Sequence, residues 1–139
     1  MNDKATLALQ IDRLMRRFHS DLHPNAQRVD QEKIGPIGGM VLFMISESGT
    51  ATAQTIGSSL GRDKSQVSRI VSLLVRKGFV EKFVDDKDAR SFQLGLTDKG
   101  KLQVAAFNGA LVATTNKLLG HLSKDEARQF SKLLSKILD

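Results

Sequence analysis

Apolar residues recur along this chain at two periods, and the switch between them organises it. Leu7, Ile11, Leu14, Met15, Phe18 and Leu22 fall three and four residues apart, which predicts an amphipathic first helix. His23-Pro24-Asn25 is expected to end it, since the residue before a proline avoids the helical region. After a polar segment, Pro36 suits the first turn of a second helix through Met40, Val41, Phe43, Met44 and Ile45, which Ser48-Gly49 stops. Gly38 and Gly39 each cost up to ~1 kcal/mol against alanine inside a helix. Either a neighbouring element comes close there, or the turn is loose.

Thr52 can cap a short third helix carrying Ile56 and Leu60, with Gly61 at its left-handed end. Asp63 can cap the next one, with Gln66 reaching back as the other half of a capping box. That helix is periodic in Val67, Ile70, Val71, Leu74 and Val75. After Arg76-Lys77-Gly78 the period drops to two: Phe79 to Val84, and then Phe92, Leu94 and Leu96, flank the turn Asp85-Asp86-Lys87-Asp88-Ala89-Arg90. Two short helices about a tight turn, followed by a β-hairpin wing, form a device for reading DNA, because such a helix fits the major groove. A two-stranded ribbon is unstable alone, so its apolar face must pack on the helices.

Thr97-Asp98 opens a long helix through Leu102, Val104, Ala105, Leu111, Val112 and Leu118-Leu119, broken by Gly120. Ser123-Lys124-Asp125-Glu126 is a capping box that starts a last helix with Phe130, Leu133, Leu134, Ile137 and Leu138. Three apolar stripes thus lie outside the helix-turn-helix. They can close an intramolecular bundle or, more economically, intertwine in a symmetric dimer. The expected fold is mainly α with a small β-hairpin wing. It is read as one domain over 1–139, with a winged helix-turn-helix at 36–100 and dimerisation helices at 1–34 and 101–139.

Composition narrows the class. The chain has 139 residues, 40% apolar and 26% charged, enough to close a core. A net charge of +6 and a pI near 9.8 favour a polyanionic partner without naming it. The lack of cysteine removes disulfides, thiolate zinc sites and thiol redox sensing. Charges among the N-terminal apolar residues leave neither a signal-peptide core nor a membrane span, so a cytoplasmic location is expected.

With Val67, Ile70, Val71 and Leu74 turned inward, the outer face of the fourth helix is Lys64, Ser65, Gln66, Ser68, Arg69, Ser72 and Arg76. Gln66 could bond adenine N6 and N7, and Arg69 a guanine edge or a phosphate. At the wing, Lys87 and Arg90 sit among carboxylates, and Asp88 could hold the Arg90 guanidinium ready for the minor groove. The bland alternatives are a solvated helix face and an exposed ion pair. His19 and His23 lack the further ligands a metal site needs. No nucleophile elbow or phosphate-cradling loop is present, so neither enzymatic activity nor a cofactor is expected.

Ser65-Gln66-Val67-Ser68-Arg69, the run Leu73 to Lys82, Asp88-Ala89-Arg90 and Leu96-Thr97-Asp98-Lys99-Gly100 together resemble the signature of MarR-type regulators. The spacing from the wing Asp-x-Arg to the Leu-Thr-x-x-Gly is the specific part. The resemblance implies a winged-helix homodimer that binds double-stranded DNA at pseudo-palindromic operators, usually as a repressor. It also implies release by a small aromatic or anionic effector, in a pocket for which Met15, Phe18, His19, Met40, Phe43 and Met44 are candidates. Thr55-Ile56-Gly57 stands where the family commonly has Glu-Leu-Ala, which weakens that helix. The competing classes are a winged-helix module that docks an acidic protein, betrayed by binding to DNA without a steep salt dependence, and a small-molecule carrier whose ligand leaves DNA affinity unchanged.

Overall fold

A computed structural model describes residues 3–84 and 92–139. The order is α1 (Asp3–Val29), α2 (Gly35–Ser48), β1 (Thr50–Ala51), α3 (Ala53–Leu60), α4 (Lys64–Arg76), β2 (Val80–Val84), β3 (Phe92–Leu96), α5 (Asp98–Leu118) and α6 (Lys124–Leu138). The mainly helical fold with a small sheet is the one the periodicities predict.

Two expectations need correction. The first helix does not end at His23-Pro24-Asn25: α1 continues to Val29 with Pro24 inside it. Proline removes one helical hydrogen bond and crowds the preceding turn, but tertiary contacts hold the turns that follow. Asn25 donates its amide to the Thr114 hydroxyl at 2.9 Å, Gln103 donates to the Val29 carbonyl at 2.8 Å, and Ala26 and Val29 pack on the core. The ribbon, in turn, has a third strand. β1 pairs antiparallel with β3, Thr50 opposite Gly95 and Ala51 opposite Leu94, giving the order β1-β3-β2. A two-residue strand has no period to detect.

The chain divides into two compact units. In Ala26–Gly109, α2, α3, α4 and the sheet surround a core of Val41, Leu42, Ile45, Ile56, Val67, Leu74, Phe79 and Leu94. The neighbours of the α2 glycine pair are Ile34, one turn back at the start of the same helix, and the Phe107 ring of α5. A methyl on Gly38 would lie 3.1 Å from Ile34 Cβ, and one on Gly39 3.4 Å from the Phe107 ring. In Met1–Asn25 with Ala110–Asp139, the Thr114 hydroxyl is fully buried and donates to the Ala110 carbonyl at 2.8 Å. Neither α1 nor α6 buries a single residue.

Candidate nucleic-acid interface

α3 begins with a capping box between Thr52 and Thr55 and ends on Gly61 in the left-handed region, φ 62°. The turn to α4 is closed by the Arg62 amide, which donates to the Gly57 carbonyl at 3.0 Å. Gly57 explains itself here. A Cβ at that position would stand 3.1 Å from the Arg62 carbonyl oxygen and 3.2 Å from a Val67 methyl, tighter than nearly all real contacts. The residue that weakens α3 as a helix lets α4 approach it closely.

α4 starts with the second capping box: the Asp63 carboxylate accepts from the Gln66 amide at 2.9 Å, and Gln66 Oε1 accepts from the Asp63 amide at 3.3 Å. Val67, Val71 and Leu74 are buried, which turns Lys64, Ser65, Ser68, Arg69, Ser72 and Arg76 outward together. Among the described residues, no ion pair holds Lys64, Arg69 or Arg76. Their charges face solvent, as a phosphate-binding surface requires. Gln66 is half-buried, and its oxygen is occupied by the cap. A two-point contact with adenine requires that bond to be released; the amide nitrogen can donate without releasing it.

The start of α5 is locked onto the end of α4, which accounts for the Leu-Thr-x-x-Gly spacing. Thr97 donates its hydroxyl to the Gly78 carbonyl at 2.5 Å and its amide to the Phe79 carbonyl at 3.1 Å, and it caps α5 by accepting from the Gly100 amide at 3.0 Å. A Cβ on Gly100 would lie 2.1 Å from the Phe79 oxygen, so only glycine fits without moving backbone. Gly78, at φ 82°, makes the reversal into β2. The motif therefore splices the end of α4 and the start of β2 to the first turn of α5.

Lys87, Asp88 and Arg90 lie outside the described residues. Two further cations of the winged helix are exposed, Arg62 in the helix-turn-helix turn and Lys82 on β2. Lys82 holds its ammonium 5.6 Å from the centre of the Phe92 ring. The six effector candidates fall in different units, Met15, Phe18 and His19 in one and Met40, Phe43 and Met44 in the other. None of them lines the cleft of about 440 Å³ bordered by Ile45, Phe83 and Lys101, or that of about 350 Å³ bordered by Arg28, Phe79 and Leu102. Among the described residues no three potential metal ligands cluster, and no helix is long and apolar enough to cross a membrane.

A capped helix-turn-helix with a sheet-based wing defines a winged-helix protein. Residues 39–92 match the model of the MarR family. The chain is 28% identical over 130 residues to the HTH-type transcriptional regulator YkoM of Bacillus subtilis, covering 93% of this chain and 84% of that one. It is 26% identical over 98 residues to the regulator BilQ of Clostridioides difficile, covering 70% of this chain and 66% of that one. Among solved structures, a MepR mutant from a multidrug-resistant S. aureus isolate superposes with a TM-score of 0.78 at 26% identity, over 92% of this chain and 94% of that one. A MarR mutant from E. coli complexed with operator DNA gives 0.75 at 22% identity, over 99% and 97%. These matches make the chain similar to MarR-family regulators over its winged helix and support a DNA-binding transcriptional regulator.

Proposed function

We propose that this protein is a homodimeric DNA-binding regulator of the MarR type that represses by occupying a pseudo-palindromic operator and is released by a small aromatic or anionic effector. The observation that carries the DNA-binding reading is the outward face of α4, where cations without an ion-pair partner among the described residues stand on a helix capped at its N-terminal end and splinted at its C-terminal end. Relatives support it: the E. coli MarR structure named above is bound to operator DNA, and an S. aureus MepR mutant was solved with an oligodeoxyribonucleotide. Gln66 and Arg69 are assigned to the bases. Lys64, Ser65, Ser68, Arg76 and, on sequence alone, Lys87 with the Asp88-Arg90 pair are assigned to phosphates and the minor groove.

The homodimer is supported by apolar side chains left in water. Leu7, Leu9, Ile11 and Met15 of α1 and Leu133, Ile137 and Leu138 of α6 are about half exposed or more. Single exposed apolar residues are ordinary, but two helices with none buried call for a partner surface, and a second copy supplies one. Full-length protein is expected to sediment as a dimer at micromolar concentration, and removal of 121–139 to leave it monomeric or insoluble.

One titration tests the DNA assignment. Gln66→Ala is expected to narrow the gap between operator and random DNA by about 1 to 3 kcal/mol. Arg76→Ala should instead weaken both alike and flatten the salt slope by about one unit per subunit. A wild-type protein whose affinity for duplex DNA ignores salt would mean a protein-docking module.

A further inference from the structure

The assignments above leave unused two lysines at the C-terminal end of the recognition helix. Lys77 closes α4. Its ammonium donates to the main-chain carbonyl of Glu32 at 2.7 Å, and its own carbonyl accepts from the Lys99 ammonium at 2.7 Å. Lys99 also pairs with the Glu32 carboxylate at 2.6 Å and stands 4.6 Å from the centre of the Phe79 ring. Glu32 belongs to the short segment between α1 and α2, which Asp30 folds by accepting from the amides of Ile34 and Gly35, both at 2.9 Å. Glu32, Lys77, Phe79 and Lys99 all lie within the Ala26–Gly109 unit.

An exposed ion pair alone contributes little, and the Lys99 and Glu32 side chains are 48% and 39% exposed. Convergence makes this pair different. The same ammonium rests on an aromatic face and on a carbonyl at the end of α4, where the partial negative charge of a helix collects. Lys77 closes the ring by bonding Glu32 from the other side. A cation that satisfied only a surface carboxylate would have no reason to stand over Phe79 as well.

We infer that Lys99 is a positioning residue for DNA recognition: with Glu32 and Lys77 it fastens the C-terminal end of α4 to the segment joining α1 to α2, and so fixes where Arg76 lies against the backbone of DNA. The inference rests on the reading that α4 meets DNA. Its consequence is that movement of the 30–34 segment passes to the recognition helix through hydrogen bonds to main-chain atoms on both sides.

Charge and position predict opposite signs for Glu32→Gln. Removing an anion raises net charge by one, and electrostatics alone would tighten DNA binding. If Lys99 positions α4, Glu32→Gln instead weakens operator binding about three- to tenfold, the size expected for a coupling residue that touches no ligand. Lys99→Met weakens it similarly, the double variant is no weaker than Lys99→Met alone, and Lys99→Arg regains most of the loss. A readout without DNA accompanies these: amide exchange at Val75, Arg76 and Lys77 should quicken in Glu32→Gln and Lys99→Met while the fold is kept. Operator binding by Glu32→Gln as tight as wild type or tighter overturns the inference, as does unchanged exchange at those amides. Wild-type protein that binds no operator would sink the regulator reading instead, and the exchange measurement would still decide the clasp.

Discussion

α4 and α6 are built from the same local instructions and meet different fates. Each opens with a reciprocal capping box, Asp63 with Gln66 and Ser123 with Glu126, and each carries an apolar stripe at helical spacing. α4 buries Val67, Val71 and Leu74 under the sheet and α2, whereas α6 buries nothing and leaves Ile137 and Leu138 more than three-quarters exposed. Capping and periodicity therefore define a helix and its apolar face but do not say which chain covers that face. For α4 the cover is the chain itself. For α6 the reading above makes it a second copy.

The sharpest way to break this contrast is truncation of one side chain on each helix. Leu74 is fully buried, so Leu74→Ala should cost about 2 to 5 kcal/mol of stability by removing contacts and leaving a cavity. That loss should be the same at every protein concentration in denaturant melts. Ile137→Asp should act differently, because in water it removes almost no contact from a single chain. It should raise the dimer dissociation constant at least about tenfold, equivalent to about 1.4 kcal/mol, and move the concentration dependence of the melting temperature to higher protein concentration. A variant that melts as the wild type does at all concentrations would show that α6 finds no partner.

The caps sharpen the contrast at smaller scale. Replacing a capping Ser or Asp by alanine typically costs about 0.5 to 2 kcal/mol of helix stability. Asp63→Ala should show this loss directly in the unfolding free energy, and should also weaken operator binding because the first turn of α4 carries Lys64, Ser65 and Gln66. Ser123→Ala should appear instead as weaker dimerisation with DNA affinity reduced only through dimer concentration. If both variants lose stability equally at high dilution, where a dimer has dissociated, α6 is held by its own chain after all.

Helix starts were legible because each is set by residues within one turn of it. Thr52, Asp63 and Ser123 cap as their spacing foretells, and Gly49, Gly61 and Gly78 all take positive φ where the chain turns. The end of α1 was not legible, since the local preference against helix before Pro24 is overridden by Asn25 and Gln103, whose partners Thr114 and Val29 are distant in sequence. Gly57 reads as a weak point in sequence and proves to be a contact point, a distinction that depends on the Arg62 carbonyl and a Val67 methyl beyond the end of its own helix. The polar face of α4 was legible from its apolar complement. That Gln66 turns its oxygen to the cap is the capping box the sequence predicts, and it sets the DNA role of this residue against its structural one.

The smallest effect concerns the charge inside the α6 cap. Glu126 accepts from the Ser123 amide at 2.9 Å, while its own amide donates to the Ser123 hydroxyl at 3.1 Å. The backbone hydrogen bond first, and that to the Ser123 side chain second, hold its carboxyl below the ordinary glutamate value of 4.5. Because the folded value lies below the unfolded one, the stabilisation is complete above the ordinary carboxylate range and is lost as pH falls through the lowered value. The group is fully exposed, so water and salt screen the effect and it should register as fraying of the first turn of α6 and not as global unfolding. An NMR titration of the Glu126 side-chain carboxyl is expected to show a midpoint below 4.5 that moves back toward 4.5 in Ser123→Gly. A midpoint at or above 4.5 in the intact protein would mean that the box is open in solution, and that α6 begins without the cap it shares in form with α4.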